Sequence, residues 1–290
     1  MRIYAFEAEG DRHVGVERDG HLVDLGVPDL LTLLRQGPEA LQEAARRAPG
    51  IPAGRGRTYE VAGVRLLAPV PRPGKILCSG INYRSHLVEN PAATLPAQPF
   101  FFSKVPSAVI GPYAPVCHPA LTQQLDWEVE LAVVIGRSLR HAAEGEAMKA
   151  IAGYTILNDV SARDIQFTDQ QITLGKNFDT FAPMGPCLVT PDELRTVENL
   201  RLRSFVNGHL MQDGSTTDWV FPLPGLLAFL SRVMTLEPGD VVSTGTPGGV
   251  GVFRKPPVFL KPGDTVVVEI EGIGRLENPV IGEHADAMRG

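Results

Sequence analysis

Cysteine is scarce. The chain holds three in 290 residues, Cys78, Cys117 and Cys187, far apart and without a CxxC pair. That count and spacing argue against both a disulfide framework and a zinc–thiolate centre. Basic runs are absent too: Lys and Arg number 27 against 33 Asp and Glu, for a net charge of −6. Such a chain offers no cationic footprint for nucleic acid. Long apolar stretches are missing, since 131–135 and 221–230 fall far short of the ~20 residues that span a bilayer. The opening Met1-Arg2-Ile3-Tyr4-Ala5-Phe6-Glu7 meets a carboxylate before any signal-like apolar region. These absences predict a soluble, cytoplasmic protein acting on a small molecule, without nucleic-acid or membrane partners.

What is present is enough to build a core, with 43% hydrophobic and 21% charged residues. Glycine (30) and proline (25) are plentiful and aperiodic, which points to many turns joining short strands. Residues 1–70 read as a small N-terminal α+β domain. Strand-like runs at 2–8, 14–18 and 21–24 carry an Asp19-Gly20 hairpin turn. Two short helices at 29–34 and 39–47 follow, then a Gly/Pro/Arg connector at 49–57. Residues 71–290 read as the larger domain, mixed α+β and mainly β. Its apolar runs lie at 75–79, 100–104, 130–135, 153–157, 202–206, 240–244 and 265–270. Helices are expected at 140–151, 161–169 and 223–233, the last burying Leu226, Leu227, Leu230 and Val233.

The chemistry concentrates at strand ends. Asp126-Trp127-Glu128-Val129-Glu130 leads straight into Leu131-Ala132-Val133-Val134-Ile135. At period 2, Glu128 and Glu130 share a face, roughly 7 Å apart. Two like charges at the entry of a core strand need water or a cation to compensate them. A third carboxylate, Asp159, ends the apolar run 153–157 and reads either as a helix cap or as a third oxygen ligand. Three carboxylates suit a hard divalent ion such as Mg²⁺ or Mn²⁺.

Two further groups accompany them. His86 and Glu89 are spaced i, i+3, so on a helical turn they would be neighbours. A carboxylate behind an imidazole makes a general base near pH 7, although the same spacing also serves plain surface contacts. Arg163, Gln166 and Lys176 could clamp an anionic substrate or pair with Asp164 and Asp169. The Gly-rich loop at 245–251 lacks the P-loop lysine and any GxGxxG. Its amides and the Thr246 hydroxyl either line a carboxylate pocket or form a bare turn.

Taken in order, Gly80-Ile81-Asn82-Tyr83-x-x-His86-x-x-Glu89, Trp127-Glu128-Val129-Glu130, Asn158-Asp159-Val160-Ser161-Ala162-Arg163-Asp164, Gly175-Lys176 and Gly245-Thr246-Pro247-x-Gly249-Val250-Gly251 resemble the fumarylacetoacetate hydrolase family. The late Glu271-Gly272-Ile273-Gly274 also fits. The resemblance implies a β-roll with short helices, usually a homodimer. It implies a divalent ion, Mg²⁺ or Mn²⁺ with Ca²⁺ as a further candidate, on Glu128, Glu130 and Asp159. By similarity, His86 with Glu89 activates water from a short lid, Lys176 stabilises an enolate, and Arg163, Gln166, Thr246 and Tyr83 hold the substrate. The family's eukaryotic namesake uses a further aspartate ligand, which has no counterpart in Ser79-Gly80-Ile81-Asn82.

The site therefore looks like the three-carboxylate version, typical of acylpyruvate hydrolases and related bacterial enzymes of aromatic-compound breakdown. The leading expectation is metal-dependent C–C bond hydrolysis in an acylpyruvate such as fumarylpyruvate. The alternative is a decarboxylase or isomerase acting on oxaloacetate or 2-hydroxyhepta-2,4-diene-1,7-dioate. A non-catalytic, metal-stabilised binding protein comes last, because it would need neither His86 nor Lys176.

Overall fold

Six of the seven residues of the strand Val129–Ile135 are apolar, and all seven are buried. Successive side chains of a strand point to opposite faces. Leu131, Val133 and Ile135 enter one core cluster, and Ala132 and Val134 enter another. A strand with core on both sides has no face to give to water, so its sequence does not alternate. The computed structural model describes residues 1–47, 57–90 and 93–283; most of the connector expected at 49–57 lies outside them.

Val129–Ile135 pairs antiparallel with Ile151–Asn158 on one edge and with Val241–Ser243 on the other. Val241–Ser243 pairs parallel with Ile76–Ser79, which pairs antiparallel with Phe101–Lys104. In the other direction Ile151–Asn158 pairs with Ala182–Val189, and that strand with Arg2–Ala8. The sheet continues through Asp11–Arg18, His21–Asp24 and Thr58–Glu60, reaching twelve strands among the described residues. A second sheet runs His209–Ser215, Arg201–Val206, Thr265–Ile270, Gly274–Gly282 and Val116–His118. A third core cluster, with Trp127, Phe181 and Val266, draws on that second sheet and on the short pair Leu125–Asp126 with Ser161–Ala162. The fold is mixed α+β and mainly β, as the sequence predicts.

Local differences have local causes. The Asp19-Gly20 turn has φ of 49° and 79°, the double positive value of a type I′ hairpin. The helix expected at 140–151 shortens to Glu144–Lys149, because Ile151 opens a central strand. The helix expected at 161–169 shortens to Arg163–Gln166, because Ser161 and Ala162 are drawn into the pair with Leu125–Asp126. In the helix Leu223–Val233, Leu226, Leu227 and Leu230 are buried as expected, but Val233 is exposed where the packed face ends. The strand Ala182–Val189 escapes sequence reading altogether. Pro183, Gly185 and Pro186 disguise a strand buried at every position.

Backbone hydrogen bonds cross residue 70. Arg2–Ala8 pairs with Ala182–Val189, and Tyr4, Phe6 and Leu22 share a cluster with Leu131 and Val133. Phe6 is fully buried, so Phe6→Ala should cost about 3–5 kcal/mol. Both tryptophans, Trp127 and Trp219, lie far along the chain from it. If the molecule unfolds as one unit, their fluorescence transition in urea moves to lower denaturant in step with circular dichroism. A tryptophan transition left unmoved would mean that the first 70 residues unfold separately.

Candidate active site

The antiparallel register places Val129 opposite Asn158. The start of one core strand therefore meets the end of the next. Backbone and side-chain bonds lock this corner: Asp159 N donates to Glu128 O at 3.0 Å, and Glu128 N donates to Asn158 Oδ1 at 3.0 Å. Glu128, Glu130 and Asp159 consequently converge, and all three are buried. Asp126 joins them as a fourth buried carboxylate.

Burying four carboxylates demands cations. Three buried ones answer. Arg163 Nη2 lies 2.6 Å from Glu128 Oε1, and its Nε donates to Asp126 Oδ2 at 2.8 Å. Lys176 Nζ bridges Glu128 Oε2 at 2.7 Å and Asp159 Oδ2 at 2.8 Å. Lys104 Nζ donates to Asp159 Oδ1 at 2.6 Å and also to the carbonyls of Val160 and Lys176. Burial acts to raise the Glu128 carboxyl, but Arg163 and Lys176 outweigh it and hold that group below the usual carboxylate range. Burial likewise acts to lower Lys176, and Asp159 and Glu128 outweigh it, so the amine keeps its proton more firmly than usual.

Among the described residues, Glu130 has no such cation. It accepts from the Ser243 hydroxyl and, at 3.3 Å, from Gly245 N. Burial, then the charges of Asp159 and Glu128, push its carboxyl well above the usual range. An oxygen-rich pocket with one carboxylate left uncompensated fits a hard divalent ion. Glu130 and Asp159 bring ligand atoms within 4.8 Å of each other and of Cys78 Sγ. Burial raises the Cys78 thiol, which keeps it protonated and a poor ligand beside two hard oxygens. Glu128 and Asp159, the other two expected ligands, are alike in having both oxygens paired with cations, Arg163 and Lys176 on Glu128, Lys104 and Lys176 on Asp159.

The helix Arg84–Glu89 brings in an imidazole, His86. Ser85 N donates to Asp218 Oδ2 at 2.8 Å, and Arg84 Nη1 to Trp219 O at 2.7 Å. His86 Nδ1 lies 2.6 Å from Glu89 Oε1, and Glu89 Oε2 accepts from Gly249 N at 2.6 Å. A Cβ on Gly249 would stand 2.4 Å from Met211 O, and its φ is +106°, so only glycine presents that amide. Amides of the 245–251 loop and its end mostly serve the protein's own carboxylates, while Gly248 N donates to the Ser85 hydroxyl at 3.1 Å. Gly245 serves Glu130, Gly249 serves Glu89, and Gly251 with Val252 serves Asp126. The sequence leaves open a substrate-carboxylate pocket or a bare turn; these amides instead hold carboxylates of the protein itself.

A cavity of about 300 Å³ collects His86, Glu128, Glu130, Arg163, Gln166, Lys176 and Thr246 in its wall. Glu89 and Asp159 act from behind it. Tyr83 is a correction: its ring is fully buried in the core, edge-on to Trp219 at 6.4 Å, and takes no part in the lining. Thr246 contributes less than expected, because its hydroxyl donates to Val129 O at 3.0 Å and accepts from Gln212 Nε2 at 2.8 Å. Gln166 Oε1 accepts from Arg163 at 3.0 Å, which leaves its NH₂ for a ligand. Lys104 and Cys78 were not anticipated, since each reads as an ordinary residue of a short apolar run. A larger groove of about 570 Å³, lined by Arg201, Arg203 and Glu269, lies on the second sheet, away from these groups.

A proton and a divalent ion compete for Glu130. Its raised pKa has two consequences of opposite sign. The metal-free protein loses stability as pH rises from the ordinary carboxylate range through the raised value. Ion binding strengthens over the same interval. Titrating EDTA-stripped protein with Mn²⁺ should raise the melting temperature on the order of 5 °C at a hundredfold excess over Kd. The gain should be larger at pH 8 than at pH 6. No gain, or a smaller one at pH 8, would contradict the site.

Comparison with known proteins points the same way. The family profile described as "Fumarylacetoacetate (FAA) hydrolase C-terminal" matches residues 75–281. The mitochondrial oxaloacetate tautomerase FAHD2A of Homo sapiens is 43% identical over 297 residues, covering 97% of this chain and 92% of that protein. The solved fumarylacetoacetate hydrolase of psychrophilic Exiguobacterium antarcticum superposes with a TM-score of 0.85 at 39% identity, covering 98% of this chain and all (100%) of the other. The 2-hydroxyhepta-2,4-diene-1,7-dioate isomerase of Mycobacterium marinum gives 0.76 at 34% identity, covering 98% and 99%. Motif order, fold and similarity coincide over one span, and the chain belongs to the fumarylacetoacetate hydrolase family.

Proposed function

We propose that this enzyme interconverts the keto and enol forms of a small 2-oxo acid of the oxaloacetate class. One observation carries the reading: a carboxylate-backed imidazole and a buried cationic cluster open on the same cavity. Tautomerisation needs no more than this, a base for the proton and positive charge for the oxygen. Similarity to the human tautomerase and to the Mycobacterium marinum isomerase supports it.

The chain's own groups divide the work. Glu89 fixes His86 through Nδ1, leaving Nε2 as the basic nitrogen. In the keto-to-enol direction, Nε2 takes a proton from the carbon beside the oxo group. The electron pair moves onto the oxo oxygen, and a proton returned there completes the enol. Lys176 stays an ammonium and steadies negative charge without acting as a base. Arg163 is held at three nitrogens by Asp126, Glu128 and Gln166, so it orients the acidic corner more than it grips substrate. A divalent ion on Glu128, Glu130 and Asp159 would supply Lewis-acid stabilisation of charge on the oxo oxygen.

Hydrolysis of an acylpyruvate, the leading expectation from sequence, would use the same base on water. The two readings separate in a paired assay of the Mg²⁺-supplemented protein. Ultraviolet absorbance follows enol oxaloacetate, and product analysis follows cleavage of acetylpyruvate and fumarylpyruvate. The proposal expects fast tautomerisation, reduced about 10²–10⁴-fold by His86→Ala. Cleavage of acylpyruvates without accelerated tautomerisation would restore the hydrolase.

A further inference from the structure

The helix Thr173–Lys176, which carries Lys176 into the site, begins after a residue in an unfavourable backbone state. Ile172 has φ of 67° and ψ of −12°. Left-handed backbone is tolerated by Gly and often by Asn or Asp, and resisted by a β-branched side chain. Elsewhere the chain puts Glu9, Asp19, Tyr113, His141 and Asn207 at positive φ, none of them β-branched. Among the described residues, Ile172 and Thr180 are the β-branched exceptions, and of these two Ile172 lines the cavity.

The neighbouring bonds explain why the turn does not relax. Ile172 N donates to Asp169 O at 3.0 Å. The Asp169 carboxylate accepts from Gln171 N at 3.1 Å and from Leu174 N at 2.7 Å. Beyond it, Gly175 lies so close to Gln166 that a Cβ would stand 2.6 Å from its backbone. Backbone geometry at position 172 therefore calls for glycine, and the chain supplies isoleucine. Strain kept at a cavity wall indicates that the side chain has a use there. With Ile81, Phe100, Phe167 and Phe253, Ile172 makes the apolar portion of a wall whose remainder is polar or charged.

We propose that Ile172 is a specificity-determining residue: held in a strained turn beside Lys176, its side chain limits the size of the 2-oxo acid that the cavity accepts. The inference rests on the reading of the cavity as a 2-oxo acid site.

The test compares the full-length protein with Ile172→Gly and Ile172→Ala. Binding of pyruvate and of 2-oxohexanoate, with Mn²⁺ present, is measured by calorimetry, alongside thermal melting. Both variants remove the wall, so both should shift preference towards 2-oxohexanoate by about tenfold, the worth of roughly two buried methylenes. Only glycine relieves the turn, so Ile172→Gly should melt about 2–4 °C above Ile172→Ala. A wild-type preference retained by both variants would overturn the proposal, as would equal melting of the two. Because binding is read without turnover, a shifted preference in a protein that fails to tautomerise oxaloacetate would sink the tautomerase reading alone.

Discussion

Four buried carboxylates, gathered where two core strands meet, are the constraint from which the rest of the site follows. Such a cluster repels itself and resists leaving water. Its cost is met by importing Lys104, Arg163 and Lys176 and by turning the amides of the 245–251 loop inward. Each imported group arrives on a different element. The cluster thereby ties together the strand Phe101–Lys104, the short helices Arg163–Gln166 and Thr173–Lys176, and the loop after Val241–Ser243.

One imbalance remains. Among the described residues, Glu130 alone of the four is paired with no cation, and burial beside Asp159 and Glu128 raises its carboxyl. A structural salt-bridge network would gain from closing this gap with one more lysine. Leaving it open costs stability and keeps an oxygen-rich corner of the kind a divalent ion would fit. His86 stands outside this balance, held by Glu89, which Gly249 N holds in turn.

Much of the site could be read before the fold was seen, for identifiable reasons. Like charges at Glu128 and Glu130 before an unbroken apolar run are costly without compensation, so the sequence pattern itself asks for water or a cation, and the burial of both residues weighs against water. His86 and Glu89 were legible because their contact is local, one helical turn. Lys104 was not, because a lysine at a strand end usually reaches solvent, and only the fold reveals its burial beside Asp159. Tyr83 was misjudged because adjacency to His86 says nothing about direction: its ring turns into the core. The strand Ala182–Val189 was hidden by two prolines, although it joins Arg2–Ala8 to the central strands. Local chemistry was visible in sequence; long-range burial was not.

Glu130→Gln tests the central claim most directly, because it removes the one uncompensated charge and keeps the shape. Calorimetric titration of Mn²⁺ into EDTA-stripped protein should give one site per chain for the wild type and none of comparable affinity for the variant. Binding of equal stoichiometry and affinity in both would contradict the account.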